Sequence, residues 1–480
     1  MDADPLATEQ TLAALGLPLG AGIPSMPARA ICRHAGDLVT AATANDLWRL
    51  WNPGVAPRVE EPAFGQRFRR WLAEGLALGY SLNRFRDASS RLADSGDPAN
   101  WIASFEDSVA GEDCCRVRLL LSREQYLAFK APIRKGADDE EQSWDQMLSM
   151  MADGLFYELG LVFSAPEIAV DDALQSPWYR CEWNDLRLPP QAGLDDQHVL
   201  FNDTVDRLRL LDIKGETATN PANGNECAII DKAHQSLARS AGLTTWDAPR
   251  YAVLALSAAI REAAAGLVNR SLYDLYMVRL RDFQPELMAA LDGSVGPDFV
   301  VQVLRGLLEE EVSVRDLPAI LQSILELRSV AAVDMARNII FAPPTGGVFA
   351  DARRTKTSDL MPADYVEFVR MGLKRYVSHK FTRGRNTLIV YLMDPDAEKR
   401  LARPGGVDAA EAAAILQAVR SEVGSLPPTA QSPVILTTME IRHPLRRLIA
   451  PSMPKLHVLS YQELSPDMNI QPIARIEPDF

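Results

Sequence analysis

Asn386-Thr-Leu-Ile-Val-Tyr-Leu-Met393 is the stretch on which the reading of this fold turns. An almost unbroken apolar run of that length reads as a buried strand. Before it, Asp364 to Lys380 forms an amphipathic helix with Tyr365, Phe368, Val369, Leu373 and Val377 on one side. After it come a helix at Ala409–Val423, a strand at Val434–Thr437 and a short basic helix at Arg442–Ile449. A strand at Leu456–Leu459 and a last one at Gln471–Ile476 complete the pattern. Apolar strands alternating with helices imply a parallel or mixed sheet covered on its faces.

Upstream, residues 329–360 read as an irregular linker, with Pro343-Pro344, Gly346-Gly347 and the basic run Arg353-Arg354-Thr-Lys356. Tyr251 to Leu327 reads as nearly continuous helix, broken at Pro285, near Gly296-Pro297 and at Ser313. Asp316 can cap the helix after the last break, and Pro318 sits in its first turn, where a missing N–H costs little. Glu309-Glu310-Glu311 reads as a solvated helix end. Residues 199–247 are polar and turn-rich around Asn220-Pro-Ala-Asn-Gly-Asn225, with a helix through Asp231–Arg239. Strands are expected at Val117–Leu121, Glu167–Val170 and Trp178–Trp183. Ser143–Leu159 is helical, and its stripe of Met147, Met150, Met151, Leu155 and Phe156 reads as core. Residues 1–112 look mainly helical, with one apolar face over Phe64–Leu78 and Pro/Gly punctuation at Leu17–Pro27 and Trp51–Pro62.

A chain of 480 residues is too long for one ordinary domain. Its formal charge of -14 argues against a general nucleic-acid binder. The five cysteines, Cys32, Cys114, Cys115, Cys181 and Cys227, are scattered and odd in number, as in ordinary buried thiols of a reducing compartment. The acidic start Met1–Gln10 lacks the basic region of a secretory signal, and no run of about 18 apolar residues is present to span a membrane.

Catalytic motifs are missing. There is no phosphate-binding loop ending in Gly-Lys-Ser/Thr, no dinucleotide glycine fingerprint after a strand, and no Gly-x-Ser-x-Gly elbow. None of the six histidines lies four residues from another, so no metal set is read. No cofactor and no enzymatic activity are expected. Arg442-His-Pro-Leu-Arg-Arg447 is a local basic cluster with two readings, a solvated helix face or a contact for an acidic partner.

Five stretches resemble the flagellar and injectisome export-gate family, FHIPEP. They are Leu307-Leu-Glu-Glu-Glu-Val-Ser-Val-Arg-Asp-Leu-Pro-Ala-Ile-Leu321, Tyr365-Val-Glu-Phe-Val-Arg-Met-Gly-Leu-Lys-Arg375, Leu388-Ile-Val-Tyr-Leu-Met-Asp-Pro395, Val434-Ile-Leu-Thr-Thr-Met-Glu-Ile-Arg442, and Val458-Leu-Ser-Tyr-Gln-Glu-Leu464 with Ile470-Gln-Pro-Ile-Ala-Arg-Ile476. The Leu-Ser-Tyr-Gln-Glu wording and the ending resemble the injectisome branch. The resemblance covers residues 115–480 and is strongest at 300–327 and 364–478.

The resemblance implies an α+β multidomain protein carrying the cytoplasmic fold of four subdomains. Subdomain 1 would span 113–198 plus 248–267, an inserted subdomain 2 would span 199–247, and a helical subdomain 3 would span 268–330. A linker at 331–357 and an α/β subdomain 4 at 358–480 would follow, with the mainly helical region 1–112 in front. It implies a non-catalytic, cytoplasmic role in type III secretion, at the inner membrane through a secretion complex. The implied partners are export substrates, chaperones, a gatekeeper and the stalk of the associated ATPase, met by a nine-membered homo-oligomeric ring. A stand-alone soluble adaptor is the alternative. Family members also carry a membrane half, and this sequence has residues 1–112 in its place.

Candidate partner-binding residues follow from the same resemblance. In flagellar relatives an Asp-Pro-Ala-Phe-Gly turn and a later Thr line a chaperone pocket. Here the turn is Asn220, Pro221, Ala222, Asn223 and Gly224, with Leu254 at the Thr. Asn223 removes the apolar anchor, so flagellar-type chaperones are not expected there. Trp246 and Asp247 could offer a different surface, or Trp246 could be core. Arg442, Arg446 and Arg447 complete the candidate set. Glu61-Pro-Ala-Phe-Gly65 echoes the pocket motif, but its distance to the next matching glycine differs, and it is read as chance.

Overall fold

Thr40 opens the first described helix: its hydroxyl accepts the Thr43 amide at 3.1 Å, satisfying one of the unpaired N–H groups of a helix start. This helix, α1 (Ala41–Trp51), turns Ala44 and Trp48 inward. Opposite it, α2 (Pro62–Ala77) presents Phe64, Phe68, Trp71, Leu72 and Leu76. Trp48 meets Phe64 and Phe68 edge-on, each pair of ring centroids 5.1 Å apart, the arrangement that aromatic quadrupoles favour. Phe85 stands edge-on to Trp71, and a Cβ at Gly75 would come within 2.2 Å of the Phe85 ring. The Glu61-Pro-Ala-Phe-Gly65 echo therefore runs into a helix and places Phe64 in a core.

The computed structural model describes most of residues 35–89, 117–130, 144–328, 360–424 and 434–480. Cys32, Cys114, Cys115, Asn223 and the stretches 17–27, 53–61 and 331–357 lie outside the described residues. The chain forms two units, Met1–Tyr276 and Met277–Phe480.

In the first unit the three expected strands are present: β1 (Val117–Leu121), β2 (Glu167–Val170) and β3 (Trp178–Trp183). β1 lies between β2, which runs parallel to it, and antiparallel β3. Two short strands, β4 (Leu186–Arg187) and β5 (Gln191–Ala192), both pair with β3. Of the helices between β1 and β2, α3 (Arg123–Lys130) precedes α4 (Trp144–Leu159). The expected stripe of α4 is only partly core: its Leu155 is buried and its Phe156 half-buried. Leu148, Leu155 and Leu159 are buried, Met147 and Met151 are half-buried, and Met150 is 62% exposed. Leucines spaced seven and four residues apart make a narrower buried stripe, which leaves Met150 on the outer side.

The polar stretch contains a second sheet that its composition hides. β6 (His198–Phe201), β7 (Gly215–Thr219), β8 (Glu226–Asp231) and β9 (Thr245–Trp246) form an antiparallel sheet in the order β7-β8-β6-β9. Its strands alternate. Val199, Phe201, Ala228 and Ile230 face Leu208 of α5 (Val205–Arg209) and Ala238 of α6 (Gln235–Ser240). Leu200, Cys227 and Ile229 face the other way, toward α7 (Ala248–Leu267). That period of two is what lets one strand serve two cores.

The long helix expected from residue 251 onward has a break that composition did not signal. α7 stops at Leu267, and α8 (Arg270–Phe283) leaves at 82°. Asn269 causes the restart: its Oδ1 accepts the Leu272 amide at 3.0 Å, the N-cap role of this residue type. α8 is anchored by Tyr276, whose hydroxyl donates to the Gly160 carbonyl at 2.7 Å and accepts the Val162 amide at 3.0 Å.

In the second unit α9 (Pro285–Asp292), α10 (Pro297–Glu309) and α11 (Leu317–Arg328) follow, divided where Pro285, Pro297 and the Ser313 region predict. Asp316 caps α11 as expected, accepting the Ala319 amide at 3.3 Å. The single helix expected over Asp364–Lys380 is two, α12 (Pro362–Gly372) and α13 (Lys374–Thr382), divided at Leu373. β10 (Thr387–Met393) then begins a four-stranded, fully parallel sheet. Its order is β12-β11-β10-β13, with β11 (Val434–Thr437), β12 (Val458–Ser460) and β13 (Asn469–Ile476). Helices α14 (Pro395–Leu401), α15 (Ala409–Gly424) and α16 (Met439–Ile449) pack Leu401, Ile415, Val419, Leu445 and Ile449 against Tyr391, Ile435 and Val458. Every residue of β11 and β12 is buried, as in parallel strands covered on both faces. Among the described residues no single helix is long and apolar enough to cross a membrane.

Candidate functional site

The basic segment Arg442–Arg447 is the first candidate, and the structure turns most of it inward. Helix α16 carries a buried stripe of Met439, Ile441, Leu445 and Ile449. Arg442 and Arg446 stand three and four residues from these positions and share the stripe. Arg442 is 0% exposed and Arg446 8%, and only Arg447 of the three faces solvent. Neither reading of the segment survives for Arg442 and Arg446: they form no solvated face and no open contact for a partner.

Burying a guanidinium is costly unless carboxylates and hydrogen bonds surround it. Arg442 has both. It donates to Glu310 through Nη2 at 2.9 Å and also through Nη1, and to Glu367 through Nε at 2.6 Å and also through Nη2. The Val458 carbonyl accepts from its Nη1 at 3.3 Å. A second buried guanidinium, Arg370, grips Glu463 in a two-pronged pair at 2.7 and 3.1 Å. Its Nη1 lies 3.1 Å from Glu310. Arg446 donates to the Leu456 carbonyl at 3.0 Å. Glu463 also accepts the Ser460 amide at 3.2 Å, within a Ser-x-x-Glu box. Three carboxylates and three guanidiniums thus balance inside the second unit.

The carboxylates respond differently. Burial pushes Glu310 up, but Arg370 and Arg442 outweigh it and hold the group at about 2. For Glu367 burial dominates over the Arg442 contact and the carboxyl stays above its usual value. His443 lies 4.0 Å from Glu367, and burial followed by the Arg442 charge lowers it. Glu310, Glu367 and His443 are close enough together to ligate a cation. The Arg442 guanidinium already engages both carboxylates, so the site holds its cation as part of the chain.

The reading of Glu309-Glu310-Glu311 as a solvated helix end fails at its middle residue, since Glu310 is buried. Glu311, with φ 58°, ends α10, and its carbonyl accepts from Lys380 Nζ. Its carboxylate lies 3.5 Å from His457 Nε2, whose imidazole is pushed down to about 3 by burial and then by Lys380. Four of the five stretches carrying the family resemblance meet here: Glu310 comes from the first, Glu367 and Arg370 from the second, Arg442 from the fourth and Glu463 from the fifth.

The other candidates cluster on the inserted sheet of the first unit. Asn220 is 3% exposed and donates to Asn202 Oδ1 at 3.0 Å, which makes it a fastener of its turn. Asp247 is the N-cap of α7, accepting the Arg250 amide at 3.2 Å and pairing with Arg250 Nη1 at 2.7 Å. Trp246 and Leu254 are brought together. With Ala218, Ile229, Ala248 and Tyr251 they form a half-buried apolar set over Leu194, Leu200 and Cys227. Trp246 is thus part core and part surface. Cys181 and Cys227 are buried thiols that form no disulfide, and burial followed by the Glu226 charge pushes Cys227 up to about 11.

The FHIPEP family profile matches residues 118–340 and 348–469. The Low calcium response locus protein D of Yersinia pestis is 22% identical over 412 residues, which cover 81% of this chain and 54% of that protein. The Hypersensitivity response secretion protein HrcV of Ralstonia nicotianae is 26% identical over 328 residues, covering 66% of this chain and 43% of that protein. The chain spans about half the length of the curated relatives it matches. Among solved structures, the CdsV protein of Chlamydia pneumoniae has a TM-score of 0.63 at 23% identity, covering 75% of this chain and 98% of that one. The nonameric EPEC SctV-C has a TM-score of 0.54 at 18% identity, covering 75% of this chain and 98% of that one. The fold is shared with those structures, and the two matched segments contain every residue of the charge network: the chain belongs to the FHIPEP family.

Proposed function

We propose that this protein is a non-catalytic component of a type III secretion export apparatus, acting in the cytoplasm as a homo-oligomeric docking platform. Membership of the FHIPEP family supports the secretion role. A solved relative of the same fold is described as nonameric, and another as a complex of CdsV with CdsO, which supports ring formation and a stalk-type partner for this chain. The single observation behind a docking surface is the half-buried apolar set of Trp246, Tyr251, Leu254 and Ile229 on the inserted sheet. Such a set suits the apolar face of an export chaperone or its cargo. The gatekeeper belongs to the same group of proposed partners. The buried network takes Arg442 and Arg446 out of the partner-binding candidates and leaves Arg447 as a separate, exposed candidate on the second unit.

Light scattering after size exclusion tests the platform, with a multimer of the full chain expected as concentration rises. A monomer at every concentration would favour the stand-alone adaptor. One observation speaks for that second reading: the aromatic core built by α1 and α2 lies outside the segments that match the family.

A further inference from the structure

The charge network is neutral only because one of its members arrives from a distant part of the chain. Arg370, Arg442 and Arg446 all belong to residues 360–480, together with Glu367 and Glu463. That portion alone holds three buried guanidiniums against two carboxylates. The third carboxylate is Glu310, at the end of α10, on the far side of residues 331–357. The charges that chiefly lower the Glu310 carboxyl, those of Arg370, Arg442 and Arg446, come from the C-terminal portion. Separating the two portions would part Glu310 from the guanidiniums that surround it and leave the C-terminal portion with one more network guanidinium than carboxylates.

The helices around this plug pack closely as well. A Cβ on Gly306 of α10 would come within 2.7 Å of Val366 on α12, and one on Gly372 within 2.6 Å of Ser323 on α11. Phe299 of α10 meets Tyr365 of α12 edge-on at 4.7 Å. Ser313 donates its amide to Tyr376 Oη at 3.3 Å.

We propose that Glu310 is a charge plug which locks α10 and α11 into the C-terminal α/β portion. The two portions then form one body whose integrity does not depend on the chain that connects them. This holds whether or not the secretion role is correct.

A protease recognition sequence inserted between Gly346 and Gly347 of the full chain allows the test. After complete cleavage, the fragments ending and beginning there are expected to co-elute on size exclusion, with unchanged far-UV circular dichroism. Fragments that separate would overturn the proposal. In cleaved Glu310→Gln chain, fragment affinity is expected to fall at least roughly tenfold. Glu310→Asp, which keeps the charge, is expected to lose less. Equal affinity of unaltered and Glu310→Gln fragments would show that apolar packing alone makes the joint, and the plug would be wrong. Should uncut Glu310→Gln fail to fold, Glu310→Asp is compared with the unaltered chain, and an affinity unchanged by the shorter side chain would overturn the proposal.

Discussion

Replacing Arg442 by methionine tests the network most directly. Methionine keeps much of the volume and removes the charge, along with the donors to Glu310, Glu367 and the Val458 carbonyl. Glu310, Glu367 and Glu463 are then left with Arg370 and Arg446, a surplus of one buried negative charge. Removing one partner from a buried ion pair costs about 3–5 kcal/mol. In a unit the size of Met277–Phe480 each kcal/mol lowers the melting temperature by about 2–4 °C, so a fall on the order of 10 °C is expected. The assay has a built-in control. All eight tryptophans lie at or before Trp246, within the first unit. Tryptophan fluorescence therefore reports on Met1–Tyr276, and far-UV circular dichroism reports on both units. Arg442→Met should move the dichroism transition of the second unit and leave the tryptophan transition in place. Adding Glu367→Gln restores charge balance and should recover about 1–3 kcal/mol. A loss below about 1 kcal/mol for Arg442→Met, or no recovery in the double variant, would refute the claim that a charge-balanced network holds this unit together.

Other outcomes follow from single contacts. Glu310 titrates at about 2 in the folded chain, so its stabilisation, about 3 kcal/mol, is present above the usual carboxylate value and lost as pH falls toward 2. Glu310→Gln should accordingly flatten the decline of dichroism melting temperature below pH ~4.5. His457 is kept neutral down to about 3 by burial. Its contribution is complete above the usual histidine value and declines as pH drops, so His457→Gln should weaken the pH dependence between about pH 6.5 and 3 in the same melts. Gly75→Ala pushes a methyl into the Phe85 ring and should cost about 1–3 kcal/mol, read by tryptophan fluorescence through Trp48 and Trp71. Trp246→Asp and Leu254→Asp should cost the first unit about 1–3 kcal/mol, since both side chains pack on Leu200 and Cys227, and in the folded chain should abolish capture of export chaperones in co-purification; retained capture would move the docking site elsewhere.

The legibility of this chain divides along physical lines. β1 and β10 were readable as short, almost wholly apolar runs, and β2 and β3 as short stretches rich in aromatic and aliphatic residues. The α9, α10 and α11 divisions were readable because Pro285, Pro297 and Asp316 act within one turn of themselves. The inserted sheet was not, because its outer strand β7 is Gly-Glu-Thr-Ala-Thr and only alternate residues of β6 and β8 meet a given core. The bend at Asn269 depends on a single side-chain cap in an otherwise helical context. The charge network lay furthest out of reach. Arg442 pairs with a residue 132 positions away and Arg370 with one 93 away, and sequence reports such distances only after the fold is known. A local hint did exist, since Arg442 and Arg446 share the stripe of Leu445 and Ile449, and Ser460-x-x-Glu463 spells a capping box.

The location of the network changes what the shared motifs measure. Side chains that cancel one another's charge in the interior place no demand on the electrostatics of the exterior. The outer faces of α13, α15 and β13 can exchange acidic for basic residues without disturbing the joint. Two proteins can therefore carry the same motif letters and present opposite surfaces to their partners. For this chain the motifs report on the interior, and much of the outward surface lies in the residues between them.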